Sequence, residues 1–109
     1  MSNLTIDIAK EYTKTPGGRY IHEGPYSGEE FREKRLIPVV KKAMEASCQV
    51  VIILDGGFGY APSFLEEAFG GLIRKMRNQQ ILSMIHIVSA EEPKLIEDVK
   101  KYMVEALKG

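Results

Sequence analysis

The chain has a single cysteine, Cys48, among its 109 residues, so it cannot form an internal disulfide bond. Because disulfides persist mainly in oxidising compartments, the lone thiol favours a reducing one. The N-terminal residues lack the basic and apolar regions of a signal peptide, and no apolar run approaches the roughly 20 residues that span a bilayer. These absences predict a cytoplasmic protein with no membrane partner.

The sequence also has no excess of charge of either sign, with 15 lysines and arginines against 15 aspartates and glutamates. These charges are scattered through helical segments and form no basic patch, which argues against a nucleic-acid partner. The two histidines, His22 and His86, have no histidine or cysteine near them in the sequence that would complete a zinc site. We therefore expect no nucleic acid, no metal and no cofactor.

Motifs of nucleotide binding and of serine hydrolysis are missing too. The glycine-rich loop at residues 55–62 lacks the third glycine of the dinucleotide fingerprint, and the chain has no Gly-Lys-Ser or Gly-Lys-Thr sequence. Ser63 lacks the Gly-x-Ser-x-Gly surroundings of a hydrolase nucleophile. These absences predict that the chain is not an enzyme. The alternative is a small enzyme or a domain for a small molecule or phosphate, in which Asp55 and the segment from Arg19 to Glu30 form a polar ligand site.

Strand patterns recur along a chain of even composition, which predicts a single domain over residues 1–109. They lie at residues 4–8, 19–22, 49–54 and 81–88. The continuous β-branched run at 49–54 is typical of the centre of a sheet with parallel neighbours. The Thr-Pro-Gly-Gly turn before residues 19–22 predicts a hairpin in which this segment pairs back on the first strand.

Helical periodicity predicts three helices. The first begins with a capping box at Ser27 and runs to about Ser47, with an interruption at Pro38. The second begins at or near Ser63, and the third follows Pro93 and reaches the C-terminus. Two adjacent glycines inside the second helix, at 70 and 71, lower its helix propensity, so we expect this helix to lie very close to the sheet or to another helix.

Three blocks of the sequence resemble a known family. The first is Thr-Pro-Gly-Gly-Arg-Tyr at 15–20, the second begins at Glu23 and ends with Ser-Gly-Glu-Glu-Phe-Arg, and the third is Ser-Phe-Leu-Glu-Glu-Ala-Phe-Gly-Gly-Leu at 63–72. Together they resemble the bacterial STAS-like domains of unknown function, related to the sulfate transporter and anti-sigma-factor antagonist (STAS) domain. The resemblance implies an α/β fold with a mixed sheet of four to five strands and helices packed mainly on one face.

The resemblance also implies a function in protein interaction and regulation. In anti-sigma-factor antagonists, a kinase-like ATPase partner phosphorylates a serine that lies in a turn before a helix. Ser63 stands at the corresponding place and is predicted to be a phosphoacceptor or a helix cap. The surrounding residues depart from the antagonist motif, since Ala61 and Pro62 replace its acidic and first hydroxyl residues.

The partner expected from this resemblance is another protein, with a kinase-like ATPase as the candidate class. The surface that such a partner would contact is predicted to be the glycine-rich loop and the start of the second helix. Its residues are Phe58, Tyr60, Ser63 and Phe64.

Overall fold

The chain contains a three-stranded parallel sheet, as seen in a computed structural model that describes residues 3–109. The strands are β1 (Leu4–Asp7), β2 (Val50–Ile53) and β3 (Ile85–Val88). Their order in the sheet is β1-β2-β3, and both neighbouring pairs are parallel. The β-branched run is therefore the central strand, as its sequence predicted.

All buried residues of the three strands lie on one face of the sheet. Ile6 is opposite Ile52, and Ile52 is opposite Ile87, so these side chains share a face with the buried Val50 and Ile85. The other face carries Thr5, Asp7, Val51, Ile53, His86 and Val88, none of which is buried. The hydrophobic core consequently forms between one face of the sheet and the helices.

The helical segments connect these strands. They are α1 (Ile8–Glu11), a 3₁₀ turn (Ile21–Glu23), α2 (Gly28–Phe31), α3 (Ile37–Ala46), α4 (Pro62–Leu65), α5 (Gly71–Met76), α6 (Ile81–Met84) and α7 (Lys94–Lys108). A π turn at Arg32–Leu36 joins α2 to α3, and a second at Glu66–Gly70 joins α4 to α5. We call these two continuous segments the first and second long helices. None of the helices in the described part of the chain has the length and apolar character needed to span a membrane.

The predicted strand at residues 19–22 is wrong, and the sheet is parallel, not mixed. The backbone of this segment pairs with the chain that follows it: Gly28 N donates to Gly18 O, and Glu29 N donates to Arg19 O. The Glu23 carboxylate also accepts from the backbone of Arg19. Because these contacts satisfy the backbone locally, the segment has no need of a strand partner.

The predicted strand at 81–88 is only half strand, since residues 81–84 form α6. Asn78 and Gln80 start this helical turn, with Ile81 N donating to Asn78 O and the Ser83 hydroxyl donating to Gln80 O. The sheet of residues 3–109 thus has three strands and not the four to five that were expected.

The first long helix begins and bends close to where its sequence predicted. Ser27 is the N-cap and accepts from Glu30 N at 3.0 Å, but the Glu30 carboxylate accepts from Tyr26 N, so only half of the predicted capping box forms. The interruption at Pro38 takes the form of the π turn just before it, in which Ile37 N donates to Arg32 O. This wider turn makes room for a proline ring inside a helix.

Candidate functional site

The loop that follows β2, residues 55–62, carries the most exposed aromatic side chain of the described residues, and we call it the Phe58 loop. The Phe58 side chain is 84% exposed. Asp55 ties the base of the loop to the turn after β3, because its two carboxylate oxygens accept from Ala90 N at 3.0 Å and Glu91 N at 2.9 Å. On the other side, Phe58 N donates to Lys14 O at 2.9 Å. The backbone of the loop is therefore fixed while the ring of Phe58 lies in solvent.

Glycines allow the chain to follow this path. A Cβ at Gly57 would lie 3.0 Å from the carbonyl oxygen of Lys14, which is closer than side chains normally approach. Gly59 has a φ of 116°, in the region that favours glycine. The glycine-rich composition of the loop thus reflects a tight backbone path between two neighbouring loops.

Tyr60 holds the far side of the loop. Its hydroxyl donates to Leu54 O at 3.0 Å, and its ring lies 5.7 Å from that of Phe64. Burial raises the pKa of the Tyr60 hydroxyl, and the negative charges of Asp7 and Asp55 raise it further. Tyr60 is half-buried, so it stabilises the loop and exposes only part of its side chain to a partner.

The structure corrects two predictions at the start of the second long helix. Phe64 was predicted to contact a partner, but its side chain is 0% exposed and packs against Phe31 in the core. Ser63 was predicted as a possible N-cap, but the N-cap is Ala61, and Pro62 occupies the first helical position that proline favours. Ser63 lies within the first turn and is half-buried. Its role as phosphoacceptor stays a prediction.

A small cavity of about 200 Å³ lies beside the Phe58 loop. It is lined by Leu54, Asp55, Gly57, Phe58, Gly59, Tyr60, Ser89, Glu91, Glu92 and Leu95. All its charged lining residues are acidic, which disfavours a phosphate. Its volume is also below the roughly 300 Å³ of a typical small-molecule site. The described residues contain no group of three or more histidine, cysteine, aspartate or glutamate side chains that could hold a metal ion.

Arg19 and Asp55, predicted as one polar ligand site, have separate partners. Arg19 Nη1 lies 2.6 Å from Glu66 Oε1 and 3.2 Å from Glu67 Oε1, while Asp55 is occupied by backbone amides at the carboxyl end of the sheet. The hydrogen bond to Glu66 raises the pKa of Arg19 above its usual value. Arg19 and Asp55 are thus each already paired with other groups, and a joint ligand site of the two stays a prediction.

Arg19 belongs to an ion network that joins the two long helices. Arg32 Nη1 lies 2.6 Å from Glu67 Oε2, and both residues are buried. Arg74 Nη1 lies 2.6 Å from Glu66 Oε2. Hydrogen bonds from Arg74 and then from Arg19 hold the pKa of Glu66 below its usual range, although burial opposes them. The three sequence blocks that resemble the STAS-like domains therefore meet in this network.

Sequence reasoning missed this network. The only signal for it was the glycine pair at 70 and 71. A Cβ at Gly71 would overlap the guanidinium of Arg32, so this glycine makes room for a side chain of the first long helix. The expected close approach is confirmed at Gly71, and a second one occurs where Gly28 lies against the carbonyl of Phe64.

Gly71→Ala is expected to lower the free energy of unfolding by about 1 to 2 kcal/mol, because overpacking against Arg32 outweighs the better helix propensity of alanine. Gly70→Ala is the matched control, since its Cβ would meet only the more exposed Glu66 and Arg74 side chains, which can move. Thermal unfolding of both variants tests this. An increase of the melting temperature in both variants would mean that the close contact with Arg32 does not destabilise Gly71→Ala.

Comparison with known proteins assigns the family. The sequence profile of the STAS-like domains of unknown function matches residues 27–95, which is more than half of the 109-residue chain. No curated protein and no solved structure matches the chain. The matched region includes the Phe58 loop and, except for Arg19, the ion network. The chain therefore belongs to the family of STAS-like domains of unknown function.

Proposed function

We propose that this chain is a protein-interaction module with a regulatory role, and that the Phe58 loop is its partner surface. The observation that carries the proposal is the 84% exposure of Phe58 on a loop whose backbone is hydrogen-bonded to both neighbouring loops. A phenylalanine in this position contributes nothing to the core. Large aromatic side chains are frequent anchors of protein interfaces, and a loop that is already ordered loses less entropy on binding.

A second group of exposed apolar side chains lies in the segment between α1 and α2. Tyr20, Ile21 and Tyr26 are 41%, 51% and 42% exposed. This segment is connected to the Phe58 loop, because Phe58 N donates to Lys14 O and, three residues further on, Gly17 N donates to Tyr26 O. Exposed apolar residues on connected loops are compatible with an interaction surface.

The alternative, a small-molecule or phosphate site that uses Asp55 and the segment from Arg19 to Glu30, has less support. Arg19 is paired with two carboxylates, and both Asp55 oxygens accept backbone hydrogen bonds. The cavity beside Phe58 is small and acidic. In our proposal the chain acts by binding and catalyses no reaction.

The class of the partner is inferred from the family alone. Anti-sigma-factor antagonists exchange partners under the control of a kinase-like ATPase, and we propose a partner of this class here. Ser63 follows the Phe58 loop directly, so a phosphate on its hydroxyl would add close to two negative charges beside the partner surface. Phosphorylation at this position would therefore act on binding.

Phe58→Ala is expected to weaken binding of the partner at least thirtyfold, in line with the roughly 2 kcal/mol that defines an interface hot spot. Partners are first identified by affinity capture from the native host with the parent chain as bait. The affinity of each purified partner is then measured for the parent and for the variant by calorimetry.

Leu107→Ala is the matched control, because Leu107 is an exposed apolar residue of α7, outside the Phe58 loop. We expect it to bind the partner like the parent. If Phe58→Ala binds as tightly as Leu107→Ala, the Phe58 loop is not the partner surface.

A further inference from the structure

The strand β3 lies at a free edge of the sheet, because in residues 3–109 it pairs only with β2. Leu54 N donates to Val88 O at 2.8 Å, so the backbone groups of Val88 point toward β2. Successive residues of a strand point their N–H and C=O groups to alternate sides. Ile87 therefore directs both groups outward, where a further strand could bond to them, whereas Ile85 offers only its carbonyl, because Ile85 N donates to Ile81 O.

The sequence of this edge does nothing to block a further strand. Natural edge strands are often protected by lysine, proline or a bulge. β3 reads Ile-His-Ile-Val and has none of these. Both edge strands adjoin a helix: β1 continues directly into α1, with Asp7 N donating to the Glu11 carboxylate, and β3 follows α6, with Ile85 N donating to Ile81 O.

An open groove of about 300 Å³ lies beside the edge, between β3 and α7. Its lining residues are Leu82, Ser83, Ile85, His86, Ile87, Ile96, Lys100 and Met103. Most of them are apolar, and Ile96 is 39% exposed. The lining contains the ammonium group of Lys100 and the imidazole of His86 but no carboxylate. Alternate side chains of an added strand would enter this groove.

We propose that a segment of a partner protein binds here as a fourth strand, beside β3, and that it carries an aspartate or glutamate that pairs with Lys100. A strand satisfies the outward backbone groups of Ile85 and Ile87, which is the way many proteins bind extended peptides. A carboxylate matches the only charged amine in an otherwise apolar groove. This surface shares no residue with the Phe58 loop, so it adds a second interaction site to the proposed function.

A second copy of the chain fits this edge less well. Pairing of β3 with β3 about a twofold axis would bring both Lys100 side chains into one shared groove that has no carboxylate. Pairing of β3 with β1 of another copy would supply the carboxylate of Asp7. Each such pair still has one free β1 edge and one free β3 edge, so further copies would add and form an open filament. The charge of the groove therefore favours an acidic segment from a different protein.

Selection of short random peptides on the full chain tests this proposal. We expect the selected peptides to alternate apolar residues around an aspartate or glutamate. Their synthetic forms should slow hydrogen exchange at the amide of Ile87, measured by NMR. Methylation of alternate peptide nitrogens should abolish binding, because it removes the donors that a fourth strand needs.

Lys100→Glu is expected to weaken these peptides about tenfold, whereas Lys101→Glu should change their affinity less than about twofold. Both lysines are exposed residues of α7, but Lys101 does not line the groove. The proposal is overturned if no peptide is selected, if Lys100→Glu binds like Lys101→Glu, or if exchange at Ile87 is unaffected. Concentration-dependent dimerisation that protects the same amide would assign the edge to a second copy instead.

Discussion

Phe64→Ala is expected to lower the free energy of unfolding by about 3 to 5 kcal/mol, the usual cost of removing a buried phenylalanine ring. The Phe64 side chain is 0% exposed, and its ring lies between those of Phe31 and Tyr60. Alanine would leave a cavity at the start of the second long helix, against the first. Because small domains are stable by only about 5 to 15 kcal/mol, this loss is a large fraction of the total.

Phe58→Ala is the matched control for this measurement, since it makes the same chemical change in a ring that is 84% exposed. We expect its free energy of unfolding to lie within about 0.5 kcal/mol of the parent value. Urea unfolding followed by far-ultraviolet circular dichroism measures both, because the chain has no tryptophan for fluorescence. Equal losses in the two variants would show that Phe58 also packs in the core and would remove the basis of the proposed partner surface.

Glu67→Ala is expected to cost about 1.5 to 3 kcal/mol of folding free energy, because it removes the carboxylate bonded to Nη1 of the buried Arg32, which keeps only the Glu33 carboxylate at Nε. Arg32 is 7% exposed, and its Nη1 also donates to Glu67 O at 2.9 Å. Burial by itself would lower the pKa of Arg32, but hydrogen bonds to Glu33 and Glu67 outweigh it and raise the pKa above its usual value. The guanidinium therefore stays charged in the variant and keeps its full desolvation cost.

Two variants check that the loss comes from a buried charge that has lost one of its two carboxylate partners. Lys34→Ala removes an exposed ion pair with Glu30 on the same helix and is expected to cost less than about 1 kcal/mol. The double variant Arg32→Met and Glu67→Met removes both buried charges and should be more stable than Glu67→Ala. If the double variant is less stable than Glu67→Ala, the loss of stability in Glu67→Ala does not come from the weakened pairing of Arg32.

Local patterns predicted most of the fold correctly. The central strand was predicted from a run of β-branched residues, and the Ser27 cap from its spacing to Glu30. The interruption at Pro38 was predicted from the chemistry of proline. These features depend on residues that are close together in the chain, so their physical causes can be read without knowing what packs against them.

The site was predicted less well, because burial is decided by distant segments. Phe58 and Phe64 flank the same turn, yet Phe58 lies in solvent and Phe64 lies against Phe31 of the first long helix. Arg19 and Asp55 both seemed available for a ligand, but each is occupied by a partner far along the chain. No spacing in the sequence indicates these partners.

The sequence by itself determined the class of fold, the positions of the long helices and the family, because periodicity, caps and motif blocks are local. The tertiary structure alone decided that residues 19–22 bond to the start of the first long helix and form no strand. It also decided that Glu67 is buried with Arg32, and that β3 is left with a free edge. Each of these outcomes depends on contacts between residues that are far apart in the sequence. Backbone and charged groups that are buried away from water need hydrogen-bond or ion-pair partners, and only the folded chain shows which groups these are.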